Sequence, residues 1–141
     1  MNYYLNIGTN LGDREAHLRK AIATLSAGTG GCRVSSVVES EPWGFESKHR
    51  FLNVGVAIST GESPQAVLQW IHDIERRLGS AGHRNAAGGY IDRLVDIDIM
   101  TITDDEGNEM TVNEAWLQVP HPHLHERDFF MIPLQQLQGK K

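Results

Sequence analysis

An α+β sandwich, a mainly antiparallel sheet with flanking helices, is the fold class the sequence predicts, and three observations lead there. Runs rich in β-branched and aromatic residues occur at four places along the chain. Two stretches between them carry the i, i+3, i+4, i+7 apolar spacing of an amphipathic helix. The resulting order, β-α-β-β-α-β, is that of a split βαβ unit with both helices on one face of the sheet, the ferredoxin-like arrangement. At 141 residues the chain is long enough for one sizeable core and short for two, so a single domain over residues 1–141 is expected.

Each element has a local reason. "NYYLNIG" alternates aromatic and aliphatic residues and stops at Gly8, predicting a first strand. Asp13 is placed to cap a helix whose stripe is Leu18, Ala21, Ile22 and Leu25, and "GTGG" ends it. "CRVSSVVES" and "FLNVGVAIST" read as strands around "EPWGFESKHR", where Pro42 and Gly44 prevent regular structure. In "SPQAVLQWIHDIERRLG" Ser63 caps, Pro64 takes the first helical position, Gly79 follows the end, and Val67, Ile71, Ile74 and Leu78 form the buried stripe. "SAGHRNAAGGYID" has no periodicity and predicts a loop before the strand "RLVDIDIM". "TDDEGNE" is a turn; residues 110–112 suit a short returning strand, residues 116–125 are punctuated by proline, and residues 126–137 are expected to be partly helical, decorating the sandwich.

Composition narrows the function. A hydrophobic fraction of 40% and a charged fraction of 22% are those of a globular protein, and no apolar run approaches the roughly 20 residues that span a bilayer. The opening residues show no secretory leader, so the cytoplasm is the expected location. A net charge of −5 argues against a nucleic-acid surface. The lone Cys32 has no disulfide or zinc partner and is expected to be a small buried apolar group.

"RLVDIDIM" poses the chemical question, because aspartate is disfavoured in strands. Alternation sends Val95, Ile97 and Ile99 to one face and Asp96, Asp98 and Met100 to the other. The two carboxylates then stand about 7 Å apart by the strand rise. They form either a solvated acidic face or a platform for hard divalent ions such as magnesium, which accept carboxylate oxygens and leave positions for phosphate. Arg93, three residues earlier, and His83 and Arg84 in the preceding loop add cations beside those carboxylates. "IGTNLGD" is either an anion cradle or a plain strand-to-helix turn, and no P-loop pattern is present. "VPHPHLHER" admits three readings: zinc ligation by His121, His123 and His125, one histidine contacting a nucleotide, or surface histidines. Arg127 is a second phosphate clamp or a surface ion-pair partner. Trp43, Phe51 and Phe129 are flat walls for a planar heterocycle or core residues, and Asn53, two residues past Phe51, shares its strand face.

Taken in order, "IGTNLGD", "ESEPWGF", "FLNVGVAI", "IERRLG", "DRLVDIDIM" and "VPHPHLHERDFFMIPL" resemble one family over nearly the whole chain, the 6-hydroxymethyl-7,8-dihydropterin pyrophosphokinases of folate biosynthesis. The resemblance implies a ferredoxin-like fold. It also implies transfer of the pyrophosphoryl group of ATP, as co-substrate, to the pterin hydroxymethyl oxygen, with release of AMP. Asp96 and Asp98 match the ligands of two magnesium ions. Phe51 and Phe129 match the residues that sandwich the pterin, and Asn53, Ser40, Pro42 and Trp43 match its edge-binding positions, with Asn10 counted among the substrate-binding residues. His72, Glu75, Ile99 and His121 look like nucleotide positions, and Arg93 and Arg127 like phosphate contacts. The stretch after the second helix departs from the family pattern: Ser80 stands for an expected arginine, Tyr90 takes a tryptophan place, and Arg84 is the candidate substitute cation. Trp116 stands where a basic residue is common. A monomer using ATP and the pterin, without nucleic acid or membrane, is the expected form. The rival readings are a pterin or nucleotide sensor that has lost catalysis, and a zinc domain built on the histidines.

Overall fold

The computed structural model describes residues 1–10, 12–41, 50–78 and 95–139. Its main sheet is built from β1 (Asn2–Thr9), β2 (Arg33–Val34), β3 (Val38–Ser40), β4 (Phe51–Ser59), β5 (Asp96–Thr103) and β6 (Glu109–Met110), in the order β2-β4-β1-β5-β6 with β3 also paired to β4. These strand pairs are antiparallel. β1 is the centre, running from Asn2↔Ser59 to Thr9↔Leu52 against β4 and from Asn2↔Thr103 to Gly8↔Asp96 against β5. The strand therefore continues through Gly8, where the sequence reading ended it.

Helices α1 (Arg14–Thr29) and α2 (Pro64–Arg77) lie on one face. Both caps are those expected: the Asp13 carboxylate accepts from the Ala16 N–H at 3.1 Å, and the Ser63 hydroxyl from the Ala66 N–H at 3.2 Å. Gly30 closes α1 in the left-handed conformation, φ 74°. Leu18, Ala21 and Leu25 of α1 and Val67, Ile71 and Ile74 of α2 meet Tyr3, Leu5, Ile7, Val54, Val56, Ile97 and Ile99 in one apolar layer. Cys32 is half-buried against that layer rather than fully enclosed. At Gly28 the α1 backbone touches the Trp70 indole, with no room for a Cβ.

The opposite face is where the structure departs most from expectation. The C-terminal segment, expected as decoration, forms α3 (Asp128–Leu137) and covers part of that face. Phe130, Leu134 and Leu137 of α3 and the nearby Leu124 bury Tyr4, Ala57 and Met100. Parity explains how β5 serves both layers: Leu5 pairs with Ile99 but Tyr4 with Thr101, so Met100 is an extra residue that turns Ile102 back onto the helical layer. "CRVSSVVES" is two strands rather than one. Between them the Ser35 hydroxyl accepts the Gly55 N–H at 2.8 Å, replacing a ladder bond with a side-chain bond. The expected 110–112 strand is likewise divided, Met110 belonging to β6 and Val112 to a separate hairpin of β7 (Val112–Glu114) and β8 (Leu117–Val119) that the sequence reading missed.

α3 approaches the sheet so closely at Gly55 that an added Cβ would sit 2.7 Å from Pro133 Cβ and 2.9 Å from Leu137 Cδ1. Gly55→Ala should therefore push α3 outward and cost about 1–3 kcal/mol, the usual penalty for overpacking. Urea unfolding measures it, and an unchanged midpoint would contradict this seating of α3.

Candidate active site

α3 leaves the far end of its sheet face open, and the register of β1 decides what stands there. Gly8 pairs with Asn53 on one side and Asp96 on the other; Asn6 pairs with Gly55 and Asp98. Two cross-strand rows, Asn53–Gly8–Asp96 and Gly55–Asn6–Asp98, thus share the face away from α1 and α2. Of these, Asn6, Gly8, Asn53, Asp96 and Asp98 line a cavity of about 680 Å³, within the range of small-molecule sites, while Gly55 lies under α3.

At the β4 end aromatic rings border the cavity. Phe51 and Phe129 both line it and are half-buried. Gly8 keeps its floor low, since a Cβ there would meet Asn53 Oδ1 at 3.2 Å and Phe51 Cδ1 at 3.4 Å. The Asn53 amide is buried and oriented: its Nδ2 donates to the Val38 carbonyl at 3.1 Å and to Ser40 Oγ at 2.8 Å. Both donors face β3, which leaves Oδ1 as the acceptor on the Gly8 side. This end is tied to α3 by Asn6, whose Nδ2 donates to the Phe129 carbonyl at 2.8 Å.

The carboxylates of Asp96 and Asp98 come next, on β5, half-buried and lining the same cavity. β6 pairs with β5 only at Ile102 and Thr103, so the stretch carrying these residues is not covered by β6. Glu75 of α2 reaches that edge and accepts the Ile97 N–H at 2.9 Å. Beyond it lie Leu68 and His72 of α2 and the β7–β8 turn with Trp116 and Leu117. Among the described lining residues, the carboxylates Glu41, Glu75, Asp96 and Asp98 face a single guanidinium, that of Arg127.

His121 closes the site over β5. Its N–H donates to the Met100 carbonyl at 2.9 Å, and its Nδ1 accepts the His123 N–H at 3.0 Å. With Nδ1 an acceptor, the ring proton is on Nε2, which lies 4.0 Å from Asp98 Oδ1. Burial, with the charges of Arg127 and then His123, pulls the imidazole down to about 4, so it is neutral at pH 7. Its ring meets Phe130 edge-on at 5.0 Å, and the Arg127 guanidinium lies 4.9 Å from the same ring centre. His123 Nδ1 is 3.0 Å from Glu126. No group of three or more His, Cys, Asp or Glu among the described residues could hold a metal, so the three histidines do not make the zinc centre that was one reading of "HPHLH".

The structure thus gathers Asp96, Asp98, Arg127, Ser40, Phe51, Asn53, Phe129, His72, Glu75, Ile99 and His121 around one cavity. Asn10 is buried and is not part of the lining. Pro42, Trp43, Arg84 and Arg93 lie outside the described residues. Sequence reasoning missed Asn6 and Gly8, although both share strand parity and lie opposite Asp98 and Asp96. It also missed Leu68, Leu117 and Gln118, whose contribution comes from a helix flank and an unforeseen hairpin.

The family of 7,8-dihydro-6-hydroxymethylpterin-pyrophosphokinases matches residues 4–139. A 2-amino-4-hydroxy-6-hydroxymethyldihydropteridine pyrophosphokinase of Porphyromonas gingivalis is 41% identical over 132 residues, covering 93% of this chain and 86% of the relative. Proteins of the same name from Aquifex aeolicus and Bacillus subtilis are each 36% identical, over 96% and 95% of this chain and 79% and 76% of their own. With a match along nearly its whole length and relatives at this identity, the chain belongs to the 7,8-dihydro-6-hydroxymethylpterin-pyrophosphokinase family, a family of diphosphotransferases of folate biosynthesis.

Proposed function

We propose that this chain transfers the terminal diphosphoryl group of ATP to the hydroxymethyl oxygen of 6-hydroxymethyl-7,8-dihydropterin and releases AMP, with magnesium required. The observation that carries the reading is that Asn6, Gly8, Asn53, Asp96 and Asp98 share one sheet face and line one cavity, with Phe51 and Phe129 at its β4 end. Membership of the family supplies the substrates.

In this reading Phe51 and Phe129 hold the two faces of the pterin, and Gly8 admits it between them. Asn53 Oδ1 accepts from a ring N–H, and the Ser40 hydroxyl, which already accepts from Asn53, donates to the ring edge. On the family resemblance, Pro42 and Trp43 are further pterin-binding residues in this reading, while Asn10, buried outside the lining, has no contact with the ring. Asp96 and Asp98 would hold magnesium: two carboxylates suit an ion that takes one or two protein oxygens and fills its remaining positions with water and phosphate. Held by Asp96 and Asp98, such an ion would offset the charge of the triphosphate and make the β-phosphorus more electrophilic. The hydroxymethyl oxygen bonds to that phosphorus and gives its proton to solvent water; the bond from the β-phosphorus to the α–β bridging oxygen breaks, and its electron pair leaves with AMP. No side chain need become covalently attached. The chain's contribution is alignment and charge compensation, by Arg127, Arg93 and Arg84 on the phosphates and by the Ile99 backbone, His72 and neutral His121 on the nucleotide side. Glu75 acts as a strut, holding α2 to β5 through the Ile97 N–H. The same reading has a monomer working in the cytoplasm, where ATP is supplied.

Asp96→Ala and Asp98→Ala test the assignment. Each should lower pterin-dependent AMP formation about a hundredfold or more, while pterin binding, followed by its fluorescence, stays within about threefold. Full turnover in both variants would remove the carboxylates from the reaction.

His121 gives an acid-side prediction. Its folded value of about 4 lies below the ordinary 6.5, so the unfolded chain takes up the proton first. The stability this group contributes is full above about pH 6.5 and is lost as the pH falls toward 4. Urea midpoints of His121→Gln should fall less steeply across that window than those of the wild type; parallel curves would mean that the ring is not held neutral.

A further inference from the structure

We propose that Asn6 is a positioning residue for the pterin: by supplying the hydrogen bond that Pro133 removes from the Phe129 carbonyl, it sets where the Phe129 ring meets the substrate. The inference rests on the assignment of Phe129 to one face of the pterin above. In a regular helix the carbonyl of residue 129 accepts from the N–H of residue 133. α3 runs from Asp128 to Leu137 with Pro133 inside it, and proline has no N–H to give. The Phe129 carbonyl is therefore left without its helical donor. Its replacement comes from the sheet, where Asn6 Nδ2 donates to it at 2.8 Å. A carbonyl only accepts, so the nitrogen end of the amide is the one that must face it.

Register and packing bring the three residues together. Asn6 stands directly opposite Gly55 on β4, and Gly55 is the sheet position over which Pro133 sits, since a Cβ added there would lie 2.7 Å from Pro133 Cβ. The proline that removes the donor thus also brings the first turn of α3 within reach of the amide that replaces it. Asn6 is buried, only 2% exposed, at the lining of the cavity. Phe129 is only half-buried. Its ring has Phe130 edge-on at 5.1 Å and the Arg127 guanidinium 5.6 Å from its centre, and it borders the cavity. Side-chain packing leaves such a ring room to move, and its backbone anchor decides where it stands. Without the Asn6 donor the carbonyl turns toward another partner and the peptide after residue 129 turns with it. The ring then holds its binding position for a fraction of the time, and the apparent pterin affinity falls by that fraction.

The test compares the full chain of the wild type with Asn6→Ala, Pro133→Ala and the double variant. Pterin binding is followed by fluorescence with magnesium and α,β-methylene-ATP, whose carbon bridge prevents transfer, and magnesium-ATP binding by titration calorimetry. Asn6→Ala should weaken pterin about tenfold, the scale of one buried hydrogen bond, and leave ATP within about twofold. Pro133→Ala restores an N–H at position 133 and keeps the Cβ that packs on Gly55. Alone it should bind pterin as the wild type does, and in the double variant it should recover most of the affinity that Asn6→Ala loses. Pterin binding in Asn6→Ala within about twofold of wild type would overturn the proposal. So would equal weakening of pterin and ATP, which would make Asn6 a support of the whole site. A double variant as weak as Asn6→Ala would also overturn it, since the amide would then act on the ligand itself. If Asn6→Ala does not fold, recovery of folding and pterin binding in the double variant supports the proposal, and its absence overturns it. AMP formation from ATP is scored separately. Wild type that binds pterin but releases no AMP would sink the transfer and keep the positioning role; wild type that binds no pterin would sink both.

Discussion

The register of β1 between β4 and β5 is the constraint on which the site depends. Because side chains alternate, one register assigns Leu5, Ile7, Val54, Val56, Ile97 and Ile99 to the helical layer, and Asn6, Gly8, Asn53, Asp96 and Asp98 to the other face. A slip of β5 by one residue would press two carboxylates into an aliphatic core, at a cost of several kcal/mol each unless they were protonated. The aliphatic residues that stabilise the sheet therefore also orient the carboxylates. Stability and chemistry are set by the same alternation, and the extra residue at Met100 confines the reversal of parity to the half of β5 beyond the site.

α3 decides how much of the second face becomes a site. It buries Tyr4, Ala57 and Met100 and stops where Asn6 takes the Phe129 carbonyl, so the same contact ends the core and begins the aromatic end of the cavity. Arg127 and Phe129 flank the start of the helix, while His121 is fastened to β5 through the Met100 carbonyl. The cavity is bounded by the sheet, the start of α3, the flank of α2 and the β7–β8 hairpin, and each wall is fixed by hydrogen bonds or core contacts of its own.

How far this was legible follows from what each signal depends on. Periodicity and caps are local, so β1, α1, β4, α2 and β5 were readable, as were Asp13 and Ser63 as caps. The Asp-Ile-Asp alternation was readable because parity needs only the strand itself. Trp116 and Leu117 were not seen as cavity walls, because a three-residue strand leaves too little alternation to detect and gains its place from pairing with Val112–Glu114. Gly8 looked like a strand terminator, since glycine ends strands more often than it floors a cavity; its role depends on Phe51 and Asn53, more than forty residues away. The donors of Asn53 could not be assigned from sequence either, because Val38 and Ser40 take both of them only in the folded sheet. The covering of the second face by α3 rests on Gly55 meeting Pro133 and Leu137, a contact with no local signature.

The central claim is that two phosphates move together, as one group, from nucleotide to pterin across the Asp96–Asp98 face. Following isotopic label tests it most directly: ATP carrying phosphorus label at the α, the β or the γ position is incubated with the protein, magnesium and the pterin, and the products are separated. If the claim holds, β and γ label both appear in the pterin product in equal amounts and α label stays in AMP. Label from the γ position alone on the pterin, with ADP as the other product, would contradict it and make the chain a simple phosphoryl transferase.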